Sequence, residues 1–248
     1  MIHYHGMSVG GGGMEDTLRL AAGRHVFVNY SDSGKLGVVS KVCSSFALDN
    51  GAYSAWRKGK EYDFDGYEEF VRGWHRHPAY DWCVIPDVIG GSEELNDEWL
   101  ERWPSELGGV PVWHLDESLE RLERMVDGYG RLALGSSGVW DSVGTKGWWD
   151  RMGKVMTVVC DEEGRPRVKL HGMRMLNWRV FSRLPLNSAD STNAQRRGMV
   201  ETRTMRPWRY VPPTRGQRSS VAAWITESHQ SAETWVPDPQ MELNFPNP

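Results

Sequence analysis

Residues 110–136 read VPVWHLDESLERLERMVDGYGRLALGS and contain a complete strand, helix and strand pattern. The apolar runs VPVWHL (110–115) and RLALGS (131–136) have the length of buried strands, and DESLERLERMVDG (116–128) repeats apolar residues at helical spacing. This order of elements is typical of a parallel sheet whose strands are connected by helices. The stretch therefore predicts an α/β fold.

The same alternation continues on both sides of this unit. Further candidate strands lie at 2–5, 25–30, 45–49, 82–87, 167–172 and 185–190, and further helical patterns lie at 67–77, 92–103 and 146–156. N-cap chemistry marks two helix starts, Ser92 followed by Glu93 and Glu94, and Asp116 followed by Glu117. Seven or eight β/α units in about 200 residues predict a compact (β/α)8 TIM-like barrel, with a doubly wound open sheet as the alternative.

Composition agrees with one globular domain. The chain has 248 residues, 39% hydrophobic and 25% charged, with 29 Lys and Arg against 33 Asp and Glu, which excludes collagen, coiled coil and wholesale disorder. Cys43, Cys83 and Cys160 are odd in number and widely spaced, which indicates a reducing compartment and argues against a zinc site. The sequence has neither a long apolar run nor a signal-peptide pattern, so we expect a cytoplasmic protein without a membrane span.

Unusual polar residues fall at or just beyond the ends of the candidate strands. They are Asp49, Asp87, His114, Gly135 with Ser136 and Ser137, His171 and Asp190. The carboxyl ends of barrel strands meet at one face, where barrel enzymes place their chemistry. A lone Asp after a strand is most often a turn or cap residue, and Asp49-Asn50-Gly51 is strong turn chemistry. Three such carboxylates together favour an active site, whereas the two histidines are as well explained as structural groups as they are as ligands or proton carriers.

The composition changes after the last candidate strand. Residues 196–218 carry seven arginines against one glutamate, a net charge of about +6, in a chain whose net charge is −4. Phosphate binding with base stacking needs such a basic, aromatic-bearing stretch. The predicted nucleic-acid-binding residues are Arg196, Arg197, Arg203, Arg206, Trp208 and Arg209. The alternative is a solvated arm that covers the barrel. We expect a barrel over 1–195 and, over 196–248, a basic arm and C-terminal segment packed on it.

Five short motifs, taken in order, resemble the tRNA-guanine transglycosylase superfamily. They are FALDNGAYSAW (46–56), VIPDV (84–88), VWHL (112–115), LALGSSG (132–138) and NSADST (187–192). Each motif alone is short, but their order and spacing agree with the family. The resemblance implies a (β/α)8 barrel that exchanges a guanine for a 7-deazaguanine.

The resemblance also implies roles for individual residues. Asp190 would be the nucleophile and Asp49 the general base, which are the two predicted catalytic residues. The predicted base-binding residues are Asp87, Tyr53, His114, Gly135, Ser136 and His171. His114 stands where the family has Gln, and Ser136 stands where it has Gly, so base selectivity is expected to differ in detail.

The tRNA-acting members of the family close with a Cys-rich zinc site, whereas no Cys follows Cys160 here. This resembles the short phage or bacterial branch, the DNA-guanine transglycosylases, which place 7-deazaguanines such as 7-cyano-7-deazaguanine in DNA. The implied partners are guanine-containing DNA and a 7-deazaguanine base, in a bacterial or phage-infected cell. Base exchange replaces one glycosidic bond with another, so we expect no cofactor and no metal. A homodimer is compatible with the family, although no residue specifies an interface.

Three alternative functions use the same residues differently. An N-glycosidase or nucleoside hydrolase would pass the covalent intermediate to water. A tRNA-guanine transglycosylase would keep the chemistry and change the polymer. A non-catalytic nucleic-acid-binding barrel would use the basic arm and the aromatic residues, and the carboxylates Asp49, Asp87 and Asp190 argue against it.

Overall fold

The computed structural model describes residues 1–7 and 14–191, in which eight parallel strands alternate with helices. The strands are β1 (Ile2–Met7), β2 (His25–Asn29), β3 (Ser45–Asp49), β4 (Tyr80–Cys83), β5 (Val112–His114), β6 (Arg131–Gly135), β7 (Lys169–Gly172) and β8 (Ser188–Ser191). The helices are α1 (Met14–Ala21), α2 (Leu36–Val39), α3 (Ala52–Arg57), α4 (Phe64–Trp74), α5 (Glu93–Arg102), α6 (Leu119–Gly128), α7 (Lys146–Val159) and α8 (Trp178–Phe181). The predicted α/β class is confirmed.

The sheet runs in the order β4-β3-β2-β1-β8-β7-β6-β5, and every pair of neighbours is parallel. Its two outer strands meet just past the end of β4, where Val84 and Val110 form a parallel bridge. The Ile85 N–H donates to the Val110 carbonyl at 2.9 Å, and the Val110 N–H donates to the Cys83 carbonyl at 2.8 Å. The sheet therefore curls into a barrel, as predicted, rather than a doubly wound open sheet.

Two predicted boundaries differ from the observed ones. The strand predicted at 82–87 ends its regular ladder at Cys83, and Asp87 lies in the following loop, directly after Pro86, which has no N–H to donate to a ladder. Helix α6 is capped by Ser118, whose Oγ accepts the Arg121 N–H at 3.1 Å, so the predicted N-cap at Asp116 is wrong. Asp116 instead accepts a hydrogen bond from the Ser137 hydroxyl. The predicted Ser92 cap of α5 is confirmed.

The helices pack on the outer face of the barrel through one apolar side. In α7 the buried residues Trp148, Met152, Val155 and Val159 follow helical spacing, and they join one continuous core with the outward side chains of β5 to β8. Each fully buried side chain of this size contributes about 1.5–3 kcal/mol to folding. No helix in the described part of the chain is long and apolar enough to cross a membrane.

Alternate strand residues point into the barrel and fill it. The interior cluster consists of Tyr4, Phe27, Ala47, Trp82, Val84, Val110, Val112 and Ala133. Its aromatic rings interlock, with the Tyr4 and Trp82 ring centroids 5.6 Å apart at 87°. This packed interior forms the floor beneath the carboxyl ends of the strands.

Candidate active site

The predicted site residues gather at the carboxyl end of the barrel. Asp49, His114 and Gly135 are the last residues of their strands, and Asp190 is the third of four in β8. Asp87 lies in the loop four residues beyond β4. Since parallel strand ends converge in a barrel, the fold places these groups around one mouth.

Asp190 is buried, and backbone groups fix its position. Its Oδ1 accepts the N–H of Arg174 at 2.7 Å, and its carbonyl accepts the N–H of Leu176 at 3.0 Å. Arg174 has a φ of +57°, in the left-handed region that residues other than glycine rarely adopt. This backbone conformation directs the Arg174 N–H toward the carboxylate. The backbone around Arg174 therefore fixes the position of the Asp190 carboxyl group.

The groups around Asp49 act in opposite directions on its pKa. Its Oδ2 accepts a hydrogen bond from Asn29 Nδ2 at 2.7 Å, and Oδ1 lies 3.5 Å from the N–H of Gly51. Burial, and then the negative charge of Asp190, raise the pKa of Asp49 to about 7. A carboxyl group with this pKa can both give and take a proton near neutral pH.

Asp87 is buried between two side chains. Asn50 Nδ2 donates to its Oδ1 at 2.7 Å, and His114 Nε2 lies 2.8 Å from its Oδ2. Burial opposes the charged form of His114, but the hydrogen bond and the charge of Asp87 outweigh it and raise the pKa of His114. Gly135 makes room for the imidazole, because a Cβ there would lie 2.8 Å from His114 Nδ1.

A buried polar network holds the Asp87 loop and His114 in place. Asn96 Oδ1 accepts the N–H of Val88 at 2.7 Å, and Asn96 Nδ2 donates to Glu117 at 3.2 Å. Glu117 also accepts the His114 N–H at 2.9 Å and Nη1 of the buried Arg121 at 2.6 Å. The Asp87 and His114 pair therefore rests on a satisfied interior network rather than on mobile side chains.

His171 differs from its predicted contact with a base. It is fully buried beneath the mouth, with its ring 4.7 Å from that of Trp82 and its Nδ1 2.9 Å from Ser188 Oγ. Its Nε2 lies 3.4 Å from Asp190 Oδ1, too far and too poorly aligned for a good hydrogen bond. A residue with no exposed surface cannot touch a base, so His171 belongs to the packed interior beneath Asp190.

The rim of the mouth carries Tyr53 and Arg174. Tyr53, in the first turn of α3, is 45% exposed, and the Arg174 guanidinium lies 5.3 Å from the centre of its ring. Arg174 Nη2 also donates to the Ser136 carbonyl at 3.3 Å, and Ser136 Oγ accepts the indole N–H of Trp148 at 3.0 Å. Tyr53 is thus an exposed aromatic residue at the rim, held beside Arg174.

Three residues in this arrangement were not predicted from the sequence: Asn29, Asn50 and Arg174. Asn29 ends β2, so the strand-end rule that selected Asp49 could have selected it as well. Asn50 lies in Asp49-Asn50-Gly51, a sequence that predicts a turn and gives no sign of a contact with Asp87. Arg174 carries no signal in the sequence, because its role depends on a left-handed backbone and on a neighbour 16 residues away.

Two predictions stand outside this geometry. The nucleic-acid-binding residues predicted between Arg196 and Arg209 lie outside the described residues, as does the proposed arm at 196–248. Within residues 1–7 and 14–191, no group of three or more His, Cys, Asp or Glu is arranged to hold a metal ion.

Comparison with known proteins bears on the fold. No family model matches the chain, and no curated protein matches it. Among solved structures, it is similar to a chain from Coccidioides immitis assigned as a fructose-1,6-biphosphate aldolase, with a TM-score of 0.58 and 14% identity over 94% of this chain and 93% of that one. At this identity the likeness supports the TIM-barrel fold, which is used by enzymes, and carries no information on substrate.

Proposed function

We propose that this protein is a glycosyltransferase that exchanges guanine in DNA for a 7-deazaguanine through a covalent intermediate on Asp190. The observation that carries the proposal is the meeting of Asp49, Asp87 and Asp190 at one mouth, each in different surroundings. Three carboxylates with separate environments can divide the work of nucleophile, proton carrier and base recognition.

Asp190 supplies the nucleophile. As the glycosidic bond from C1′ to the guanine nitrogen breaks, an oxocarbenium-like charge develops on the sugar, and an ionised carboxylate stabilises it and then bonds to C1′ as an ester. The Arg174 N–H holds the attacking carboxylate in a fixed position. In the second half, a nitrogen of the incoming base attacks C1′ and the ester bond breaks, which restores Asp190.

Asp49 carries the proton. Guanine leaves poorly as an anion, so the protonated carboxyl gives the departing base its proton, and the resulting carboxylate takes one from the incoming base. The pKa of about 7 suits both directions. Asn29 Nδ2 orients the group without supplying a charge that would hold it ionised.

Asp87 with His114 forms the recognition side of the mouth. A carboxylate has acceptor capacity beyond the two hydrogen bonds that Asn50 and His114 make, and it can receive the N–H edge of a guanine-like ring. Tyr53 can stack on the face of that ring, as enzymes do with a flipped base. The choice of DNA over tRNA rests on the resemblance to the short branch of the family.

The test is base exchange followed directly. The full-length protein is incubated with guanine-containing DNA or tRNA and 7-cyano-7-deazaguanine, and the polymer is digested to nucleosides for mass spectrometry. We expect a deazaguanine deoxynucleoside from the wild type and none from Asp190→Asn. Asp81→Asn serves as the matched control, because its carboxylate lies at the opposite end of the barrel.

Three outcomes would contradict parts of the proposal. Normal exchange by Asp190→Asn would remove the covalent role of Asp190. Release of guanine without incorporation would favour a hydrolase, and incorporation only into tRNA would overturn the choice of DNA.

A further inference from the structure

An exposed basic and aromatic surface lies directly beside the mouth. It follows Asp49 in the chain, where α3 and the turn after it read AYSAWRKGK over residues 52–60. Its outward side chains are Tyr53, Trp56, Arg57, Lys58 and Lys60, which we name the rim platform. The function proposed above assigns only Tyr53 a role, so the exposure of the other four is unexplained.

The aromatic part of the rim platform is unusually open. Trp56 is 57% exposed and Tyr53 is 45% exposed. Their ring centroids are 5.7 Å apart with the planes at 32°, so the two rings form a short stepped surface leading out of the mouth. Burying an indole contributes about 1.5 kcal/mol or more to folding, so such exposure does not serve the stability of the isolated chain.

The cationic part continues the same surface. Arg57 ends α3, Lys58 caps it, and Gly59 at φ of +61° reverses the chain before Lys60. Among the described residues, none of these three side chains forms an ion pair or a hydrogen bond. Three unpaired cations next to two exposed aromatic rings match the requirements of a nucleotide strand, which offers phosphates and base faces alternately.

The negative charge of the mouth explains why cations beside it would help a nucleotide to bind. The three carboxyl groups at the mouth carry net negative charge even while Asp49 holds its proton, and an entering polyanion is repelled by that charge. The cations of the rim platform follow Tyr53 in the same helix and turn, and they compensate for that charge. Tyr53 and Trp56 are three residues apart on one helix, about 4.5 Å along its axis, so a base beside the one in the mouth can reach Trp56.

We propose that the rim platform binds the single-stranded nucleotides next to the base held in the mouth, with Trp56 stacking on the adjacent base and Arg57, Lys58 and Lys60 contacting phosphates. The inference rests on the proposed function for the identity of the strand as DNA. Binding by the rim platform predicts that the preferred substrate is a single strand or a locally opened duplex, because the bases of a closed duplex present no free face.

The experiment measures binding, independently of exchange. Fluorescence anisotropy of a labelled single-stranded oligodeoxynucleotide with one guanine is followed over a salt series, using the full-length wild type, Trp56→Ala, Trp56→Phe and the triple variant Arg57→Gln, Lys58→Gln, Lys60→Gln. The matched control is Lys41→Gln, Lys154→Gln, Arg165→Gln, which removes the same charge from exposed positions away from the mouth.

We expect Trp56→Ala to bind about tenfold more weakly and Trp56→Phe to recover most of that loss. The triple rim variant should lower the slope of log K against log salt by about 2, since each lost single-strand phosphate contact removes about 0.7, and the control triple should leave it unchanged. A closed duplex of the same sequence should bind with little dependence on Trp56.

Other outcomes are equally informative. Wild-type affinity in both Trp56→Ala and the triple rim variant, or an equal effect of the control triple, would overturn the rim platform. A wild type that fails to exchange bases but binds with the expected dependence on Trp56 would refute the proposed function and leave the platform standing.

Discussion

The barrel holds carboxylates at both ends of its interior, and the two ends surround them with different groups. At the amino end, Asp81 accepts a hydrogen bond from the Tyr4 hydroxyl and lies 3.7 Å from the Arg131 guanidinium. At the carboxyl end, Asp49 accepts a hydrogen bond from the Asn29 amide and Asp190 accepts one from the Arg174 backbone N–H, while burial and then the negative charge of Asp190 raise the pKa of Asp49. An aspartate therefore links β4 to β1 and β6 across the barrel at one end, whereas Asp49 has a pKa raised to about 7 at the other.

The available cations explain the difference. Arg131 begins β6 and faces Asp81, which balances its charge. The guanidinium of Arg174 at the mouth lies instead on the Tyr53 ring and the Ser136 carbonyl. Clusters of like charge without a paired cation are costly to a fold, and they mark the places where a protein adjusts pKa values for chemistry.

Among the substitutions that test the difference between the two ends of the barrel, Asp49→Asn is expected to have the largest effect. Loss of the proton carrier should slow base exchange by about 10³-fold, within the usual range for general acid–base catalysis. For the wild type, kcat/KM toward guanine-containing DNA should fall as the pH rises above 7, because the raised pKa of Asp49 means that its protonated form is lost there. The variant has no titrating group at this position and should lack that decline.

The measurement is a pH–rate profile from about pH 5.5 to about pH 8.5 for both proteins. A flat wild-type profile across pH 7, or the same decline in the variant, would show that another group carries the proton.

The opposite behaviour is expected at the amino end. Asp81→Asn should lower the free energy of unfolding by about 1.5 kcal/mol, because the buried Tyr4 hydroxyl loses a charged acceptor and Arg131 loses its partner. Exchange activity per folded molecule should be unchanged. Urea denaturation gives the first quantity, and Glu123→Gln on the exposed face of α6 is the control. A loss of activity without a loss of stability would mean that the two ends are not functionally distinct.

The sequence predicted the strands of the barrel better than it predicted the start of helix α6. All eight strands were identified, and β3 has the predicted bounds, since its apolar run stops abruptly at Asp49. The helix cap at Asp116 was wrong because two capping residues lie two positions apart, and the choice of Ser118 depends on Glu93 from another helix, which accepts its hydroxyl at 2.8 Å.

The site was predicted as a set of residues and not as a set of contacts. Strand ends indicated that Asp49 and Asp190 share a mouth, but the pairing of Asp87 with Asn50 and His114 joins residues 37 and 27 positions apart. The burial of His171 depends on which way the side chain faces within β7, and a rule based on strand ends does not distinguish inward-buried from mouth-facing positions.

The smallest effect concerns the backbone of Arg174, whose φ of +57° is the only positive value at a non-glycine residue in the described part of the chain. Arg174→Gly and Arg174→Ala both remove the guanidinium and differ only by a Cβ. A Cβ is unfavourable in the left-handed region, so the glycine variant should unfold with a free energy about 1 kcal/mol higher than the alanine variant. At the ordinary helical position Arg124 in α6, the same pair should show the reverse order, with alanine about 1 kcal/mol more stable.

Denaturation curves of the four variants give the free energies of unfolding that this prediction compares. Alanine more stable than glycine at both positions would mean that Arg174 does not hold the left-handed conformation that directs its N–H to Asp190.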